Sequence, residues 1–89
     1  MISETDKARI IELSRKYGVK RILLFGSSAS RAAHSKDIDL AVEGVSAALF
    51  FRFYGELMST LSKPVDLVDL GHKTLFTDLV SRDGVTLYG

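Results

Sequence analysis

The sequence predicts a small α/β (α+β) domain with a central sheet, on three observations. Short apolar or alternating runs stand at residues 20–25, 37–43 and 65–70. Amphipathic runs with helical spacing lie before and between them, and Gly or Pro marks most of the junctions. At 89 residues, with 46% hydrophobic and 26% charged residues, the chain reads as one globular domain over residues 1–89.

The first element spans residues 3–17. Ile10, Leu13 and Tyr17 recur at helical spacing with Ile11 beside them, Ser3 suits the N-cap, and Gly18 is a good stop. Glu4 and Asp6 suit the positive end of that helix. KRILLF at 20–25 is short, apolar and β-prone, which predicts a buried strand ended by Gly26. A short helix is expected over 27–33 and a polar loop over 34–36. DIDLAVE at 37–43 alternates strictly, with Ile38, Leu40 and Val42 on one side and Asp37, Asp39 and Ala41 on the other. That pattern is a strand with one face on the core.

Residues 46–62 form the longest predicted helix. Its apolar set includes Phe50, Phe51, Phe53, Tyr54, Leu57, Met58 and Leu61 and covers an arc of about 160° at 3.6 residues per turn. Pro64 opens a third strand at 65–70 (VDLVDL), a last helix is expected over 74–81, and Asp83-Gly84 signals a turn into VTLY.

Bulk properties exclude several classes. Twelve basic residues against eleven acidic ones give a net charge of +1, so no broad basic face for nucleic acid is implied. The absence of Cys excludes disulfides and Cys-based zinc sites and fits a cytoplasmic setting. The opening MISETDKARIIEL does not read as a signal peptide, and no apolar run of about 18 residues offers a membrane span.

Three local features carry chemistry. Asp37 and Asp39, two apart on a strand, share a face with Cβ atoms about 6–7 Å apart. Their mutual repulsion is relieved by a cation, and hard oxygens suit Mg²⁺ if phosphates and waters complete its shell. Alone, such a pair is equally a solvated strand face. Upstream, LLFGSS runs a strand into Gly26 and Ser27, where backbone N–H groups and the Ser27 hydroxyl can meet a phosphate. Gly-Ser is also ordinary turn chemistry. Asp66, on the opposite strand face from Val65 and Leu67, could complete a metal site or deprotonate an attacking hydroxyl. Its bland alternative is an exposed charge at a strand edge.

Taken together, LLFGSSASRAAHSKDIDLAVEG followed by PVDLVDL resembles the DNA polymerase beta-like nucleotidyltransferase superfamily. The short length and the closing DGVTLYG resemble its minimal branch, the MNT domains, and the resemblance runs from Val19 onward. It implies the nucleotidyltransferase fold, a small mixed sheet of three to four strands flanked by helices. It implies that Gly26 and Ser27 grip phosphate, with Arg31 as a further nucleotide-binding residue. It also implies that Asp37, Asp39 and Asp66 are both the catalytic residues and the ligands of Mg²⁺. A nucleoside triphosphate, with ATP favoured, would lose pyrophosphate to a partner hydroxyl.

Two positions depart from the commonest MNT pattern. Arg31 stands one residue later than the usual Arg, about 100° around a helix. Lys36 occupies the usual Ser position before Asp37, where it is expected to point into solvent.

Minimal domains of this kind lack the module that binds an acceptor in larger relatives. The resemblance therefore implies a helical HEPN-type protein as partner, with the chain as an adenylylating antitoxin. The alternative is a degenerate subunit that neutralises its partner by contact alone, through an aromatic face including Phe51 and Phe53. The 160° arc of residues 46–62 is equally an interface or a wide core face. His34 and His72 lack partners at metal-ligand spacing and read as surface residues. Tyr17, Tyr54 and Tyr88 are expected to pack with their hydroxyls toward water.

Overall fold

The computed structural model describes residues 2–29 and 36–89. Helix α1, Glu4–Tyr17, starts at Ser3, whose hydroxyl accepts the Asp6 N–H at 3.1 Å, and ends at Gly18 with φ 65°. Both ends follow the capping chemistry the sequence offers. Strand β1 is Arg21–Leu24, a 3₁₀ turn occupies Gly26–Ala29, and β2 is Ile38–Glu43. Helix α2, Ala47–Thr60, leads to β3, Val65–Asp69, then α3, Leu75–Asp83, and β4, Val85–Tyr88.

The sheet order is β3-β2-β1-β4. β1 runs antiparallel to both β2 and β4, while β2 and β3 are parallel. A parallel pair needs a crossover, and α2 supplies it. One sheet face, with Ile22, Leu24, Ile38, Leu40, Val42, Val65 and Leu67, packs with Ile10 and Leu13 of α1 and Phe53 and Leu57 of α2. On the other face Leu23 and Ala41 pack with Leu70 and with Val80 of α3. The two-sided burial explains why Ala41, on the side predicted to be polar, is fully enclosed.

Asp6 fastens the two long helices' ends together. Its carboxylate accepts the Ser62 N–H at 3.1 Å and the Ser62 hydroxyl at 2.5 Å. A charge-assisted acceptor with both oxygens engaged can be buried at low cost, and Asp6 is buried.

The structure departs from expectation in three places, and it divides the α2 arc between the two readings the sequence left open. The helix expected over 27–33 is a 3₁₀ turn as far as Ala29, and residues 30–35 lie outside the described residues. Asp83-Gly84 is not a separate turn. Asp83 ends α3, and Gly84 caps it by donating its N–H to Val80 O at 2.8 Å. The wide apolar arc of α2 is only partly core: Phe53 is 0% exposed, whereas Phe51 is 78% and Met58 56% exposed. A single sheet face accepts a stripe of about 100°, and the excess stays outside. Two tyrosine hydroxyls, expected to be left to water, have protein acceptors. Tyr17 donates to Glu56, and Tyr54 donates to Val65 O at 2.8 Å. Each ring is anchored against α2 or β3, so its polar tip finds a protein partner.

Candidate active site

The site begins where β1 stops. Phe25 donates its N–H to Asp39 O at 3.1 Å, and the chain then turns at Gly26 with φ 58°. A left-handed backbone favours Gly. A second reason for Gly is steric, since a Cβ there would sit 3.0 Å from Asp39 Oδ2. Gly26 thus brings main chain against the carboxylate. Ser27 follows, exposed, and Ser28 turns inward.

Ser28 is 1% exposed and joins the turn to the acidic segment. Its hydroxyl accepts the Asp39 N–H at 2.9 Å and donates to Asp37 O at 3.2 Å. Sequence reasoning did not single it out. Nothing in a Ser-Ser pair says which hydroxyl is buried; that depends on the direction the 3₁₀ turn takes.

The parallel register of β2 and β3 sets Asp39 beside Asp66, followed by Leu40 beside Leu67. Burial raises the Asp39 pKa above its ordinary value, and the charges of Asp66 and then Asp37 raise it further. Asp37, one residue before β2, and Asp66 are exposed, while Asp39 is half-buried. The structure therefore brings Gly26, Asp37, Asp39 and Asp66 to one end of the sheet. Arg31 and His34 lie outside the described residues. Lys36 is exposed, as expected, and so is His72, which stands beyond the far end of β3.

Among the described residues, no three or more His, Asp or Glu side chains gather closely enough to form a metal cage. What the structure shows is Asp39 beside Asp66 across the β2–β3 register, close enough to Asp37 and Asp66 for both charges to act on it. The chemistry of these aspartates still fits a hard divalent cation. Mg²⁺ takes one or two carboxylates and fills its octahedron with phosphate oxygens and water. Asp39 supplies the physical motive, because a cation would offset the burial and repulsion that disfavour its charge.

A groove of about 410 Å³ adjoins the site, with Phe25, Gly26 and Ala29 on one side and Phe76 and Leu79 of α3 on the other. Phe25 and Phe76 meet edge to face at 5.8 Å. A separate groove at Phe50, Phe51, Asp69 and His72 includes none of Gly26, Asp37, Asp39 and Asp66.

Fold and site together define a set of aspartates at one end of a mixed α/β sheet, beside a glycine turn. The chain belongs to the nucleotidyltransferase family described as "Polymerase beta, Nucleotidyltransferase", which matches residues 8–89. Proteins of this family generally use a divalent metal. No curated protein matches the chain.

Solved structures add detail. A toxin–antitoxin structure with AMP-PNP contains a chain 31% identical, with a TM-score of 0.76, over 93% of this chain and 73% of that one. A toxin–antitoxin complex named MntA-HepT gives 28% identity and a TM-score of 0.73, over 98% of this chain and 73% of that one. A complex from Shewanella oneidensis, of a tri-AMPylated HEPN toxin with its MNT antitoxin, gives 30% identity and 0.72 over 94% and 70%. These likenesses bear out the nucleotidyltransferase fold and the MNT resemblance. Among the described residues, no helix is long and apolar enough to cross a membrane.

Proposed function

We propose that the chain is a Mg²⁺-dependent nucleotidyltransferase that moves an adenylyl group from ATP to a hydroxyl of a HEPN-type partner protein, as the antitoxin of that pair. The observation that carries this reading is the Asp39–Asp66 register beside the Gly26 turn. The similar complexes, one with AMP-PNP and one with an AMPylated toxin, support the choice of adenine nucleotide and partner.

Gly26 and Ser27 receive the phosphates, and the missing Cβ of Gly26 lets this turn lie against the Asp39 carboxylate. Asp37 and Asp39 hold the cation, and Asp66 stands beside them facing the acceptor. The cation, when bound, supplies positive charge against the triphosphate oxygens. The acceptor hydroxyl gives its proton to the Asp66 carboxylate as its oxygen bonds to the α-phosphorus. The bond from that phosphorus to the bridging oxygen breaks, and pyrophosphate leaves. Arg31 is placed in this reading by the family pattern alone. The reaction is assigned to the cytoplasm, where ATP and Mg²⁺ are available.

Calorimetric titration with Mg²⁺·ATP tests the reading, with the Asp37→Asn/Asp39→Asn double variant alongside. Metal-dependent binding by the wild type that the variant loses is expected, together with an AMP mass increment on the partner. Absence of both from the wild type mixed with its partner would overturn it.

One observation favours a second reading, in which the chain neutralises its partner by contact alone. α2 leaves Phe51 and Met58 bare to solvent. In that case Asp37→Asn keeps the neutralising effect and Phe51→Asp abolishes it. Phe53 takes no part, since it is enclosed in the core.

A further inference from the structure

In a regular antiparallel pair, residues facing each other across a hydrogen-bonded position exchange two backbone bonds. Phe25 and Asp39 form one of them, from Phe25 N–H to Asp39 O. The Asp39 N–H goes to Ser28 Oγ, and the Ser28 proton goes to Asp37 O. One buried hydroxyl thereby grips the main chain on both sides of residue 38, from the turn that carries Gly26 and Ser27. Gly26 completes the arrangement, because the space where its Cβ would stand lies 3.0 Å from Asp39 Oδ2.

We propose that Ser28 is a positioning residue that fixes the Asp37–Asp39 pair at a set distance from the Gly26-Ser27 turn, and so sets the affinity for the metal–nucleotide complex. The inference rests on the nucleotidyltransferase reading above. The physical argument concerns the length of unsupported chain. β1 and β2 are paired only as far as Leu24 and Leu40, so both the turn and Asp37 lie beyond the last regular rung. Without the Ser28 hydroxyl, Asp37 loses one of the bonds tying it to β1's side of the sheet, and the Asp39 N–H loses its acceptor. Two carboxylates that repel each other and Asp66 then have a freer backbone along which to move apart. Asp37 and Asp39, which would hold the cation, and the Gly26-Ser27 turn, which would receive the phosphate, have to act from one fixed geometry. Support of this kind, one step behind the ligating atoms, commonly changes metal affinity by about 10- to 100-fold.

The test uses the full chain and two readouts. Mn²⁺ binding followed by electron paramagnetic resonance, alone and with ATP, measures the site, and thermal melting measures the fold. Ser28→Ala is compared with Ile10→Val, a core truncation in helix α1 that lowers stability modestly. Ser28→Cys keeps nearly the same volume with a much poorer acceptor, and serves if Ser28→Ala does not fold. The expected result is that Mn²⁺ and Mn²⁺·ATP bind the Ser28 variants about tenfold or more weakly. Ile10→Val, at a comparable melting temperature, should bind as the wild type does. If the Ser28 variants bind Mn²⁺·ATP no more weakly than Ile10→Val, the hydroxyl serves only the fold and the proposal is overturned. If the wild type binds neither Mn²⁺ nor Mn²⁺·ATP, the nucleotidyltransferase reading itself fails and takes this inference with it. The first failure concerns Ser28, and the second concerns the site.

Discussion

Replacing Asp39 by Asn should make the free protein more stable while removing its capacity for metal. Asp39 and Asp66 face each other on adjacent parallel strands, whose backbones are about 4.8 Å apart. Two unit charges about 5 Å apart repel by roughly 0.8 kcal/mol in bulk water and roughly 3 kcal/mol at an effective dielectric constant of 20. Asp66 is exposed and Asp39 half-buried, so the lower part of that range applies, about 1 kcal/mol. For a domain of this size that corresponds to a rise in Tm of about 4–8 °C at neutral pH and low salt.

The sign with pH follows from the raised Asp39 pKa, which burial causes first and Asp66 and Asp37 increase. The folded state holds this proton more tightly than the unfolded chain does. The resulting stability is complete below the ordinary value of 3.8 and is lost as pH rises through the folded-state pKa. Asp39→Asn, which never ionises, escapes that loss, so its advantage is absent near pH 3 and grows toward neutrality. Denaturation monitored by circular dichroism, with and without Mg²⁺, reads both effects. Saturating Mg²⁺ should stabilise the wild type, by about 2.7 kcal/mol at 100 times the dissociation constant, and should leave the variant unchanged. An Asn variant less stable than wild type at pH 7, or one equally stabilised by Mg²⁺, would refute the reasoning.

Other substitutions probe the scaffold. Gly26→Ala should cost about 1–2 kcal/mol in urea denaturation, because a Cβ at φ 58° is strained and meets Asp39 Oδ2. Phe53→Ala should cost about 3–5 kcal/mol, from a ring that is wholly enclosed and packed 5.2 Å from Tyr17. Phe51→Ala, at a site left to solvent, should melt within about 0.5 kcal/mol of the wild type. Asp6→Ala leaves the Ser62 N–H and hydroxyl without their acceptor, so a loss of about 1–3 kcal/mol is expected in the same assay.

Much of the architecture was legible because it rests on local chemistry. Ser3 and Gly18 bound α1 through capping bonds that reach only three or four residues. The alternation of DIDLAVE survives as Ile38, Leu40 and Val42 on the helix-covered face, because side-chain direction along a strand is set by the backbone itself. Asp37, Asp39 and Asp66 were legible as residue types in a pattern. Their assignment to one site came from the family resemblance, since a strand at residue 39 and one at residue 66 say nothing of which neighbours which.

Tertiary structure decided the rest, wherever the deciding contact is remote in sequence. The parallel register that sets Asp39 against Asp66 depends on how α2 crosses over the sheet. The α2 arc divides between the enclosed Phe53 and the bare Phe51 because of what the sheet presents opposite, which the helix's own periodicity cannot register. Tyr17 and Tyr54 direct their hydroxyls to protein acceptors because Glu56 and the Val65 carbonyl are there to accept. Ser28 shows the difference most sharply. By itself the sequence determined that Gly-Ser ends an apolar strand ahead of an acidic one. Only the folded chain decided which serine faces inward, because a hydroxyl's partners are set by the path of the whole segment and not by the residues beside it.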